Sequence, residues 1–344
     1  MNKGTWKNIE KEKKKLLRKM VKPFENNNLK KSTIQIINTI IPLVLLVTGG
    51  FLSYQLHWSL SILCGVLASG FLIRTFIIFH DCCHGSFLSK KKNNDLLGNI
   101  TGLMTFFPYE KWRREHIIHH TSSGNLEKRG IGDIWVMTIE EYRDASKFTQ
   151  FKYRMYRHPF VMFILGPIFL MLISNRMNAK DAKPKEKRNT WMHNIVLLLF
   201  YVGMFFLVGA VPFMLVLLPM LFIAGMMGIW LFYIQHTFED AYFEESSEWD
   251  YVKAAIEGSS FYKLPKVFQW MTGNIGYHHV HHLSPRIPNY QLEQAHEKTP
   301  PLQHATTITI KDSLESLKYK LYDEKNKCFI TFREYTRRFK TKHV

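Results

Sequence analysis

Cysteine is scarce in this chain, with four in 344 residues. Cys64, Cys82, Cys83 and Cys328 are too few and too irregularly placed for a disulfide framework. The adjacent pair Cys82 and Cys83 could bind metal or a redox partner, yet inside an apolar helix it reads as small apolar filler. Acid is scarce too: 28 Asp and Glu face 46 Lys and Arg, for a formal charge of +18. Such an excess, spread evenly over a surface, would suit nucleic acid. Here the bases crowd residues 3–31 and 176–188, beside long apolar runs, while the connections at 55–59 and 210 carry none. That asymmetry is the positive-inside signature, so the basic clusters report topology and contact with anionic lipid, and nucleic acid is not expected as a partner. Nor is there an internal repeat, a low-complexity run or a convincing signal-peptide cleavage site.

The long apolar runs themselves carry almost no charge. Residues 33–54 have none, and at about 1.5 Å rise per residue their length matches a hydrocarbon core of roughly 30 Å. Residues 60–79 carry only Arg74, close enough to the end of the run to snorkel toward the surface. Residues 191–209 and 211–235 form a second pair, joined by a tight turn at 210–212. The expected fold is therefore an all-α, multi-pass membrane bundle with four spans, or six as the alternative. Both termini and the basic loop are expected in the cytoplasm. Residues 96–108 and 159–174 are apolar but interrupted by Gly and Pro, and are read as interfacial or re-entrant pieces. Three regions result: a basic cytoplasmic segment over 1–32, amphipathic or disordered; a membrane domain over 33–282; and a cytoplasmic tail over 283–344.

Histidine carries the chemistry. His278, His281 and His282 stand at i, i+3 and i+4, so on a helix their imidazoles are expected to project from one face onto a common point. His116, His119 and His120 repeat that spacing, His80 and His84 lie one turn apart, and His236 closes the last apolar run. A single H-x-x-x-H pair often only decorates a helix, but two matching triplets are hard to attribute to chance. These nine candidate ligands exceed the roughly six that one ion accepts, so two ions sharing the set are expected, held in a cytoplasmic helical cap. His279 points off the ligand face and is read as supporting or structural. His57, His158, His193, His296, His304 and His343 default to surface or interface roles. Asp133, in a Gly-rich loop, is either a partner for a ligand histidine or an ordinary turn acid.

Imidazole suits zinc, copper, iron and nickel, so ligand type alone leaves the metal open. Nine ligands exceed what a zinc hydrolase needs, and a pair of dioxygen-binding irons at the mouth of apolar helices suits oxidation of an unactivated hydrocarbon. The three boxes, H-x3-H, H-x2-H-H and H-x2-H-H, resemble those of the membrane fatty acid desaturases. Phe79 to His84, Trp230 to Asp240, Gly258 to Pro265 and Gly273 to Tyr290 are most similar to the Δ5 acyl-lipid desaturases of Gram-positive bacteria. The resemblance implies a di-iron centre with the box histidines and His236 as ligands. It further implies dioxygen as co-substrate, acyl chains of membrane phospholipid as substrate, and ferredoxin or flavodoxin as electron donor in the cell membrane. One position departs from the pattern of the related acyl-CoA desaturases. Where those carry an Asn one turn before the extra histidine, holding a metal-bound water, this chain has Phe232; Asn274 is the candidate replacement. Without a His-Pro-Gly-Gly motif for a fused cytochrome b5, electrons are expected from a separate protein. Arg333, Arg337, Arg338 and Lys340 are either an attraction for an acidic carrier or a solvated tail. Two rival readings stand beside a desaturase: a hydroxylase of the same superfamily, and a non-catalytic metal transporter or sensor. The transporter would need polar ligands near the bilayer midplane, where these spans carry no acid.

Overall fold

A computed structural model of the chain describes residues 12 and 14–339. Helix α1 covers residues 14–21, and Asn28 then caps the first long helix, α2 (Leu29–Ser53), by accepting from the Lys31 amide. After a short turn comes α3 (Trp58–His84), whose last turn is the first histidine box. Gly85 ends that helix with φ 70°, donating back to the Asp81 and Cys82 carbonyls, so His84 is its final residue. Helices α4 (Lys91–Thr105) and α5 (Tyr109–Ser122) follow, and α5 carries the second box. Strand β1 (Met137–Thr138) leads into α6 (Ile139–Asp144) and α7 (Lys147–Tyr156). A π-helical turn over Val161–Leu165 opens α8 (Gly166–Leu172), and the segment bends by 65° relative to α7.

The second long pair is α9 (Pro184–Val208), started by proline at its first turn, and α10 (Ala210–His236), which ends on His236. Only Gly209 separates them, a tighter turn than the residues 210–212 expected. With α2 and α3 they are, among the described residues, the four helices long and apolar enough to cross a membrane. Their outer faces stay apolar and uncovered, as at Leu45, Leu198, Leu199 and Phe206, which is the surface a bilayer covers. The pair α3 and α10 forms the centre. Gly65 lies so near α10 that an added Cβ would stand 2.3 Å from the Val216 carbonyl oxygen, which is why a residue without a side chain sits there.

Above this bundle the chain builds a cap from α11 (Tyr251–Glu257), β2 (Phe261–Tyr262), α12 (Lys266–Met271), α13 (His278–Leu283) and α14 (Leu292–Lys298). It is completed by β3 (Thr307–Ile308), α15 (Ile310–Ser316), β4 (Tyr319–Asp323), β5 (Cys328–Thr331) and α16 (Phe332–Phe339). The helical bundle matches expectation; the five short strands add to it. Strand β4 pairs with β5 antiparallel and with β1 parallel, and β2 pairs with β3 parallel. The residues after 283 thus fold back onto the cap, and Arg338 is held at 2.8 Å from Asp323. Lys340 and His343 lie outside the described residues. The described part of the basic N-terminal segment is ordered as helix: Leu17 and Val21 are buried in one core with Val280, Leu283 and Ile287.

Arg74 does not snorkel as expected. It is buried, its Nε donates to Thr39 Oγ1 at 3.0 Å, an Nη donates to the Trp270 carbonyl, and the guanidinium lies 4.0 Å from the Trp270 ring centroid. A charge in an apolar span is costly unless every donor finds an acceptor. Here α12 supplies one, so the arginine ties the cap to two spans. Cys82 and Cys83 are buried among Phe79, Phe87, Phe107 and Tyr109, as apolar filler, and all four cysteines are free.

Candidate metal centre

Four elements bring the nine histidines together. α3 ends in His80 and His84, α5 carries His116, His119 and His120, α10 ends in His236, and α13 carries His278, His281 and His282. They sort into two groups able to hold a metal ion. His80, His84, His116, His120 and His281 form one, and His119, His236, His278 and His282 the other, with the ligand atoms of each within 4.8 Å of one another. The triplets therefore do not converge on a common point, as their spacing led us to expect. In α5 the i, i+4 pair His116 and His120 faces the first group while His119 turns to the second. In α13 the pair His278 and His282 faces the second group and His281 turns to the first. The reason is helical geometry: four residues advance the direction by about 40° past a full turn and three fall about 60° short. The i+3 and i+4 side chains thus diverge by about 100°, and each helix lies between the two sites and serves both.

The donor set fits cations. Nε2 of His281 is 2.9 Å from Nε2 of His120, which is 3.1 Å from Nε2 of His116. In the second group His278 Nε2 stands 3.0 Å from His236 Nε2 and 3.1 Å from His282 Nε2, and His282 Nε2 is 3.3 Å from His119 Nε2. Lone pairs facing one another at such distances repel unless protons or cations lie between them. Protons are disfavoured: burial first, then the neighbouring imidazoles, push His116, His120, His278, His281 and His282 well below the ordinary imidazole range. Nε2 of His84 is buried without any hydrogen-bond partner. Neutral, inward-facing imidazoles are the donors a divalent first-row metal takes.

Three ring nitrogens facing away from the groups are held by fixed partners, which sets the tautomer and aims Nε2 at the centre. His119 Nδ1 meets Asp133 Oδ1, so Asp133 takes the partner role among the two expected for it. His236 Nδ1 meets the Gly258 carbonyl at 3.0 Å. His80 Nδ1 meets Asp81 Oδ1 at 3.1 Å. The other oxygen of Asp81 accepts from the Asn289 amide at 2.7 Å and from Asn289 Nδ2 at 2.8 Å, and Asn289 Oδ1 in turn accepts from Gln35 Nε2 at 3.0 Å. Sequence reasoning missed Asp81, Asn289, Gln35 and the Gly258 carbonyl. Asp81 had a signal, its place inside the first box; the others meet it only through folding. Trp112 stacks on His116, at 4.1 Å between centroids.

The remaining candidates divide. His279 is in neither group: its Nε2 meets His296 Nδ1 at 3.0 Å, and burial, with His296 second, pushes it down to about 3. It is a structural histidine, and His296 is its partner rather than a surface group. His193 is buried in α9. Asn274 Nδ2 donates to the Asn289 carbonyl at 3.3 Å. Phe232 stands against the second group, its ring centroid 5.0 Å from that of His119 and 5.4 Å from that of His236.

Comparison with known proteins agrees with this geometry. The family model for fatty acid desaturases matches residues 56–311. The chain is 53% identical to a Bacillus subtilis protein named fatty acid desaturase over 321 residues, covering 93% of this chain and 91% of that one. It is 28% identical to the sn-1 oleoyl-lipid 12-desaturase of Synechocystis over 245 residues, covering 65% and 64%. It is also 28% identical to an endoplasmic reticulum omega-3 fatty acid desaturase of Vigna radiata, covering 64% and 59%.

Proposed function

This chain belongs to the fatty acid desaturase family, and on that premise we propose that it introduces a cis double bond, at the Δ5 position, into saturated acyl chains of membrane phospholipids. It would thereby supply unsaturated chains and set membrane fluidity. The observation that carries this reading is the convergence of nine histidines, seven of them buried and His84 and His236 partly exposed, in two groups at one end of a bundle of apolar helices. The name of the Synechocystis relative, which specifies a lipid-borne chain, supports an esterified substrate.

Two iron ions are the metals we assign, one to His80, His84, His116, His120 and His281, the other to His119, His236, His278 and His282. Iron bound there supplies the capacity to activate dioxygen against an unactivated pair of methylene groups. The protein's own part is positional. Asp81 and Asp133 hold His80 and His119 in one tautomer and place one carboxylate beside each group, offsetting part of the cationic charge. Burial keeps the other imidazoles neutral and available. Phe76, Phe79, Phe107 and Trp112 pack together beside the first group and exclude water. Spans in the lipid bring the substrate to the cap without a soluble carrier.

We place the protein in the cell membrane with both termini and the cap in the cytoplasm, where ferredoxin or flavodoxin delivers two electrons. The test is expression in a host lacking desaturases, with mass spectrometry of total lipid and location of the double bond through dimethyl disulfide adducts. Monounsaturated chains with the bond at carbon 5 are expected. Hydroxylated chains as the main product would move the assignment to a hydroxylase.

A further inference from the structure

Helix α7 turns its apolar side outward. Tyr153, and Arg157 at the helix end, are buried against the cap, where the Tyr153 hydroxyl accepts from the Met137 amide at 3.2 Å and Arg157 donates to the Tyr319 carbonyl at 2.9 Å. The other side carries Phe148, Phe151 and Met155, at i, i+3 and i+7 of one face, with Phe148 68% and Phe151 59% exposed. A helix bathed in water shows the reverse, its apolar stripe inward and its polar side out. Lys147 and Lys152 stand exposed beside these rings, Lys152 Nζ lying 4.9 Å from the Phe148 ring centroid, and residues 147–156 contain no acid. An apolar face edged by cations with long apolar stems is the pattern of a helix seated among lipid headgroups.

The segment after α7 fixes its level. There the chain follows α10 away from the histidines: the Phe163 ring centroid is 5.6 Å from that of Tyr233 and 5.2 Å from that of Trp230, and a Cβ added at Gly225 would stand 2.8 Å from Pro167 Cβ. Gly225 lies roughly 16 Å along the helix axis from His236. α8 is therefore at the depth of the hydrocarbon, with Phe169 and Leu172 exposed toward it. Because that segment runs beside α10, the 65° bend at its start turns α7 toward the plane of the membrane. Arg157 pins the bend near the surface, one Nη donating to the Tyr233 hydroxyl at 3.3 Å, one turn before His236. We propose that α7 lies on the leaflet beneath the cap, with Phe148, Phe151 and Met155 among the acyl chains and Lys147 and Lys152 beside anionic headgroups. Lipid is the occupant because this face continues the bilayer-facing side of α8 and its cations match anionic phosphates. The inference depends on neither the metals nor the reaction.

The test uses the full-length chain with its native cysteines replaced, reconstituted in vesicles of phosphatidylethanolamine and phosphatidylglycerol. Phe148→Cys and Phe151→Cys each carry a nitroxide, and Glu140→Cys, at an exposed position on α6, serves as the reference for water. Power saturation compares collisions with oxygen, which concentrates in lipid, and with a water-soluble nickel complex. We expect the ratio of oxygen to nickel collisions at 148 and 151 to exceed that at 140 several-fold. Should Phe151→Cys fail to fold, Phe148→Cys decides. Ratios equal to that at 140 would put the face in water and overturn the proposal. Low access to both reagents would overturn it as well, assigning the face to a second copy of the chain where spin–spin broadening accompanies it and to the chain's own packing where it does not.

Discussion

Asp81 is a buried carboxylate that meets no Lys or Arg among its partners in the described residues; its contacts are His80 and the two donors of Asn289. A charge in such a place persists only where donors and a nearby cation compensate it. With a metal on His80 the compensation is complete. Asn289→Ala removes one of the donors that aim Asp81. Weakening of metal affinity by about 10- to 100-fold, the usual loss for an outer partner, is expected in competition with a chelator. The Asn289→Ala melting temperature, measured on metal-free protein, should fall far less than the affinity does. The histidines also set a pH dependence. His116, His120, His278, His281 and His282 are held well below their unfolded value of about 6.5, so the unfolded chain binds more protons than the folded one as pH falls. Stability contributed by their neutral burial is therefore present above about pH 6.5 and lost below it. Metal-free protein should melt at a clearly lower temperature at pH 5.5 than at pH 7.5.

At the scale of elements, the spans are held by close approach and the cap is tied down by arginine. Gly65 brings α3 against α10, and the same two helices end in His80, His84 and His236, so their spacing sets the spacing of ligands from both groups. Gly65→Val should cost about 1–3 kcal/mol by overpacking, read as a lower melting temperature in detergent, with metal content falling alongside. Arg74, Arg157 and Arg176 work in a common way. Each is buried or partly buried and donates to backbone carbonyls of a neighbouring segment: Trp270 for Arg74, Tyr319 for Arg157, Phe106 for Arg176. Carbonyls at helix and strand ends lack partners of their own, and a guanidinium has enough donors to serve several of them.

For the whole molecule, the two groups constrain topology. His120 and His281 share one group, so the chain between them crosses the bilayer an even number of times. Helices α9 and α10 account for two crossings, and the bent α7–α8 segment therefore does not add a single third one. Four spans then place residues before α2 and after α10 on one side. Single cysteines at Lys19 and Lys325, in a chain whose native cysteines are replaced, should both react with an impermeant maleimide in inverted vesicles and neither in right-side-out cells. Reaction of one from each side would contradict four spans.

How much of this was legible in the chain follows from which interactions are local. Span positions depend on runs of adjacent apolar residues, and the boxes on spacings within one or two turns, so both could be read from sequence. All nine candidate ligands fall in the two groups for that reason. Which histidine serves which group could not be read, because it depends on where α5 and α13 lie between the sites. The same holds for Asn289 and Gln35, which reach Asp81 from 208 residues along the chain in one case and through a second partner in the other. Arg74 misled because its acceptors arrive from α2 and α12. Local periodicity, in short, determined the membrane bundle and its metal-binding residue types. Tertiary packing alone decided the five-to-four division, since only the meeting of distant helices fixes which ring nitrogens converge.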